Sequence, residues 1–83
     1  MIVPAILRIE GFVFRIYTAD HRPPRVHVFN GEGEAVFILE DEDGLPSLRE
    51  WEGMREPDVR RAYRIVEMHR TVLLGRWREI HGE

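Results

Sequence analysis

The stretch Arg25-Val26-His27-Val28-Phe29-Asn30-Gly31-Glu32-Gly33-Glu34-Ala35-Val36-Phe37-Ile38-Leu39 reads as two strands joined by a glycine-rich turn. With Gly31-Glu32 at the tip, Val28 faces Ala35 and Val26 faces Phe37, which makes one face apolar throughout. The other face then holds Arg25, His27, Phe29, Glu34, Val36 and Ile38. His27 falls opposite Val36 and diagonal to Glu34, within reach of a long side chain. One side of this hairpin is therefore core and the other mixes polar and apolar groups.

Upstream, Ala5 to Ile9 and Phe12 to Tyr17 form a second hairpin around Glu10-Gly11. A two-residue turn sets Ile9 against Phe12, Leu7 against Phe14 and Ala5 against Ile16, all apolar, and sends Arg8, Glu10 and Arg15 to the opposite face. A slip by one residue would bury those charges, so the pattern specifies the register. Gly11 supplies the positive φ that such a turn requires. Between the hairpins, Thr18 to Pro24 cannot be a central strand, because Pro23 and Pro24 lack ladder donors.

Downstream, Glu40-Asp41-Glu42-Asp43-Gly44 reads as a solvated acidic loop. Leu45 to Trp51 is a short fifth strand at a sheet edge, ended by Gly53. From Glu56 to about His81 the chain is helical, with Pro57 in the first turn and Glu56 and Asp58 complementing the dipole. Val59, Ala62, Val66, His69, Leu73, Trp77 and Ile80 recur at three- and four-residue spacing, broadened by Tyr63, Ile65 and Val72, an apolar stripe wide enough to cover a sheet. Gly75 is the expected place for a kink, and Gly82 the stop. The fold class expected is α+β: one domain, residues 1–83, in which an antiparallel meander of four or five strands is covered on one face by a C-terminal helix.

Composition narrows the function. All 12 basic residues are Arg, and the net charge of −3 argues against nucleic-acid binding by the whole surface. With no cysteine there is neither a disulfide nor a thiolate site, which suits a reducing cytoplasm. The first residues carry no basic region followed by a long apolar stretch, and no apolar run is long enough for a membrane span, so a cytoplasmic location without membrane contact is expected.

The density of site-like chemistry peaks at Asp20-His21-Arg22-Pro23-Pro24-Arg25-Val26-His27-Val28. Period two puts Arg25 and His27 on one face, and the register adds Glu34. The Pro-Pro loop has reduced freedom and would hold His21 beside them. These four are the candidate catalytic residues; Asp20, Pro23, Pro24 and His69 are candidate binding residues. Two imidazoles fall short of the three protein ligands usual for zinc, and Asp20, Glu34 or His69 could be the third; the metal reading ranks last, and no metal and no cofactor is expected. His69 also reads as a core-edge histidine bonded to a backbone carbonyl, and Trp77 as core. Arg60, Arg61 and Arg64 form a small basic patch that either meets phosphate or pairs with Glu56, Asp58 and Glu67. His81 lies near a fraying terminus, with no role assigned.

Ile6-Leu7-Arg8-Ile9, Asp20 through Val28, and Gly33-Glu34-Ala35, continued by Arg60-Arg61-Ala62, Ile65-Val66-Glu67, Leu73-Leu74 and Trp77, resemble a prokaryotic family catalogued as domain of unknown function 4160. The family signature is an acid, His, any residue, Pro-Pro-His, an apolar residue and His. This chain departs from it at Arg25, where the family usually has His, and at His69, where the family tends to have Asn. Guanidinium does not ligate cations at ordinary pH, so Arg25 with His27 makes an anion-facing pair rather than a metal pair. Family members are similar to one half of small two-gene modules of toxin–antitoxin type. The resemblance thus implies a protein partner, a small one from the neighbouring gene, or RNA; self-association is a separate expectation. The leading expectation is a partner-binding protein. The alternative is a metal-independent ribonuclease-like toxin, with His21 or His27 as acid or base, Glu34 orienting the imidazole and Arg25 stabilising phosphorane charge.

Overall fold

Short runs of alternating polarity, punctuated by glycine turns, fold as a meander because each strand finds its predecessor at little loop-closure cost. The computed structural model describes residues 6–31 and 33–83. Five strands, β1 (Leu7–Ile9), β2 (Phe12–Arg15), β3 (Arg25–Asn30), β4 (Gly33–Ile38) and β5 (Ser47–Glu52), lie side by side in chain order, each antiparallel to the next. Two helices follow, α1 (Glu56–Met68) and α2 (Arg70–His81).

The expected register is found. Leu7 pairs with Phe14 and Ile9 with Phe12, while Val26 pairs with Phe37 and Val28 with Ala35. Glu10 and Gly11 both have positive φ, 52° and 83°, the backbone of a primed hairpin turn whose twist suits the flanking strands. Ala5, and Glu32 at the tip of the second hairpin, lie outside the described residues.

The helices cover the face built by Phe12, Phe14, Val26, Val28, Ala35 and Phe37, and contribute Val59, Ala62, Ile65, Val66, Leu73, Leu74 and Trp77 to one core. Phe12, Phe14, Phe37 and Trp77 are almost wholly buried. Side chains of this size each contribute on the order of 2–3 kcal/mol through burial, against the ordering entropy of the chain. Val36 and Ile38 are also buried but stand outside this cluster, on the sheet's other face.

Two boundaries differ from expectation. The fifth strand runs Ser47–Glu52 rather than Leu45–Trp51. It carries Arg49 as an extra residue, since Leu48 pairs with Phe37 and Glu50 with Val36. The helical stretch breaks at His69, not at Gly75, which sits inside α2. His69 has φ −104° and ψ 17°; its N–H still reaches the Ile65 carbonyl at 2.9 Å, and its own carbonyl accepts the Leu73 N–H at 2.9 Å, so backbone bonds run into and out of the turn. The redirection brings Leu73 and Leu74 onto the core together and leaves Val72, expected in the stripe, 54% exposed. Gly82 ends α2 in the left-handed conformation, with the Glu83 N–H donating to the Arg78 carbonyl. Among the described residues no helix is long and apolar enough to cross a membrane.

Candidate functional site

Period two sends Arg15 from β2, Arg25, His27 and Phe29 from β3, and Glu34, Val36 and Ile38 from β4 to the face that the helices leave open. At its centre His27 is held from both sides. Its Nδ1 lies 3.0 Å from Glu34 Oε2, and its Nε2 lies 2.9 Å from Asp20 Oδ2. The ring is largely enclosed, with 16% of its side chain exposed, whereas Glu34 is 43% exposed. Tyr17 closes a further side, its ring edge-on to the imidazole with centroids 4.5 Å apart.

A doubly protonated imidazole donates to both carboxylates at once; a neutral ring donates to one only. In neither form does His27 keep a nitrogen free for a substrate proton while both contacts persist. The two carboxylates also sit across the ring from one another, so the trio does not converge on a common point in the manner of a metal site.

The other predicted residues are distributed differently. Arg25 folds back on the Pro-Pro loop, donating through Nη2 to the His21 carbonyl at 3.1 Å and through Nε to the Pro23 carbonyl at 3.3 Å. Its guanidinium thus braces the loop rather than facing an anion beside His27. The His21 ring is exposed, and the contact joining it to this group is made by its backbone oxygen. Pro23 follows a cis peptide bond, and Pro24 is buried. His69 lies away from the open face, lining a hollow with Ile9, Glu10, Arg61, Arg64, Ile65 and Met68. Its ring makes no hydrogen bond among the described residues, so the expected bond to a carbonyl is not found. In the neighbouring basic patch Arg60 pairs with Glu56 at 3.5 Å and Arg61 with Asp58 at 3.2 Å. In the acidic loop, Asp41 Oδ1 accepts the Asp43 and Leu45 amides at 2.9 and 3.0 Å, an arrangement that shapes the turn.

Sequence reading missed three contributors. Tyr17 was within reach of it, since it continues the alternation through Arg15, which pairs with His27. His81 carried no such signal. Its ring stacks on Trp77 with centroids 3.6 Å apart, while Nδ1 meets the Trp77 carbonyl at 3.0 Å and Nε2 the Asp20 carbonyl at 3.1 Å. Glu83 adds an ion pair with Arg22. The end of α2 thereby holds the loop whose Asp20 side chain grips His27. Beyond His27, a shallow hollow of about 200 Å³ extends to β5, lined by His27, Glu34, Val36, Glu50, Trp51 and Glu52.

Burial raises the pKa of the Tyr17 phenol above its ordinary 10.0, the Glu34 charge adds to the rise, and Asp20 adds less, while Arg15 opposes them. Because the folded value is the higher one, the contribution to stability is fully present below the unfolded pKa and is lost as pH rises through the folded pKa. In a phenolate absorbance titration with Tyr17→Phe as the blank, Tyr17 should ionise later than free tyrosine. Glu34→Gln should bring its midpoint down. An unshifted midpoint in both proteins would contradict this account.

The chain is thus a small α+β protein with a five-stranded meander, helices on one face, and a carboxylate–histidine–carboxylate cluster on the other. It belongs to the family described as Domain of unknown function (DUF4160), whose model matches residues 11–78. Comparisons with curated proteins and with solved structures gave no match.

Proposed function

We propose that this protein is a partner-binding component of a two-gene module of toxin–antitoxin type, acting in the cytoplasm through the open sheet face around His27. The observation that carries this reading is the double engagement of His27, with Asp20 on one ring nitrogen and Glu34 on the other. A general base needs an unoccupied nitrogen within reach of the proton it takes. An imidazole clamped between two carboxylates suits a fixed recognition surface better. The position of Arg25 supports the same reading over the nuclease alternative, because its guanidinium is spent on the His21 and Pro23 carbonyls. Family membership supports a small module protein, and the enclosed loop–strand geometry presents a pre-shaped surface, which lowers the entropy cost of binding.

Co-expression with the neighbouring gene's product, followed by size-exclusion chromatography, tests the proposal. The wild-type chain should elute as a complex. His27→Ala, checked for folding by circular dichroism, should weaken the complex by about tenfold or more, as for a central interface residue. Two results would overturn the reading: absence of both a complex and self-association, or RNA cleavage by the wild-type chain that His27→Ala abolishes.

A further inference from the structure

β5 is the last strand of the sheet and is bonded to β4 alone, so its outer row of backbone N–H and C=O groups has no ladder partner among the described residues. Such an edge is a template for another strand unless it is covered or blunted. β5 has no proline and no lysine, and its six residues, Ser-Leu-Arg-Glu-Trp-Glu, are all strand, with Arg49 the extra residue at the register shift. Leu48 and Trp51 pair with the core residues Phe37 and Ala35, yet they are 36% and 50% exposed. The apolar side of the sheet therefore runs out past the helices at this edge.

Charge selects the occupant. The hollow that reaches β5 on the open face is lined by three carboxylates, Glu34, Glu50 and Glu52, with His27 and Val36 beside them and no Arg, while the Trp51 side chain alternates to the opposite face. Glu34 is engaged with His27, but Glu50 and Glu52 make no ion pair among the described residues. A second copy of this chain would bring the same two glutamates to the contact, and the phosphates of RNA would be repelled by all three. An arginine fits on each count: its stem lies on Val36 and its guanidinium reaches the carboxylates.

We propose that β5 is a docking edge for an extended, arginine-bearing segment of a protein partner, which adds as a sixth strand and seats one arginine in the Glu34–Glu50–Glu52 hollow. This deepens the partner-binding reading and rests on it. Main-chain bonds supply the affinity, and the hollow supplies the selection for a basic side chain.

Short end-blocked peptides of alternating arginine and valine, or of alternating glutamate and valine, serve as probes against the full chain. The arginine peptide should bind in fluorescence anisotropy, slow amide hydrogen exchange in β5, and change the Trp51 emission of a Trp77→Phe protein. The glutamate peptide should do none of these. The doubly reversed variant Glu50→Arg/Glu52→Arg, remote from the core and so expected to fold, should bind the arginine peptide at least about tenfold more weakly. Equal binding of the two peptides, protection at β1 instead of β5, or self-association through β5 that Trp51→Ala removes would each overturn the proposal. Should the neighbouring gene's product bind the doubly reversed variant as tightly as the wild type, this inference fails while the partner-binding reading stands. A failure to form any complex with that product, alongside selective arginine-peptide binding, would sink the wider reading and leave the β5 site in place.

Discussion

Trp77→Ala is expected to cost about 3–5 kcal/mol, the loss typical when a buried indole is truncated and its cavity only partly collapses. Small domains are stable by roughly 5–15 kcal/mol in all, so this change removes a large share of the margin. Trp77 is 1% exposed and belongs to the core cluster with Leu73 and Leu74. It also forms the surface on which His81 stacks, and His81 in turn meets the Asp20 carbonyl. The variant should therefore loosen the Asp20 loop along with the core, visible as faster amide exchange around residues 18–22. Among the described residues the buried indole N–H has no hydrogen-bond partner, so Trp77→Phe removes an unsatisfied donor as well as volume and should lose far less. Urea denaturation of the two variants separates these effects. A Trp77→Ala loss below about 1 kcal/mol would contradict the assignment of this residue to the core.

Gly33→Ala is expected to destabilise by about 1–3 kcal/mol, through overpacking rather than backbone strain. A Cβ there would stand 2.7 Å from the Gly53 carbonyl oxygen and 2.8 Å from both Cα and Cβ of Met54. Two of those three atoms are backbone, and Met54 is itself buried, so the neighbour cannot rotate away. The close approach pins the start of β4 to the segment that leaves β5. Gly75→Ala is the matched control: it lies within α2, and beyond the helix's own backbone an added Cβ meets nothing within 4 Å among the described residues. That change should stabilise by roughly 0.5–1 kcal/mol, the usual helix-interior difference. In thermal melts of a domain this size each kcal/mol moves Tm by about 4–8 °C, so the two variants should move in opposite directions. A melting temperature for Gly33→Ala at or above the wild-type value would refute the packing argument.

What the sequence determined by itself is the sheet and its register. Strand side chains alternate with period two, so placing Leu7, Ile9, Phe12 and Phe14, or Val26, Val28, Ala35 and Phe37, on one face leaves a single pairing, and that pairing is the one found. The proximity of His27 and Glu34 follows from the same local rule, as does the burial of Trp77 from the helical stripe. Other features depended on forces the chain cannot report locally. The apolar stripe from Val59 to Ile80 reads as one helix, and Gly75 is its weakest residue by propensity. Yet the turn falls at His69, where the packing of α1 and α2 on a common core redirects the chain. Period two places Arg25 on the open face, but a long side chain can bend, and here loop carbonyls outcompete an anion site for its guanidinium. The grip of His81 on Asp20 joins residues far apart in sequence, and only the docking of α2 against the Pro-Pro loop creates it. Alternation and spacing decide what neighbours along a strand or helix do, whereas contacts between distant segments exist only once the hydrophobic core has brought those segments together.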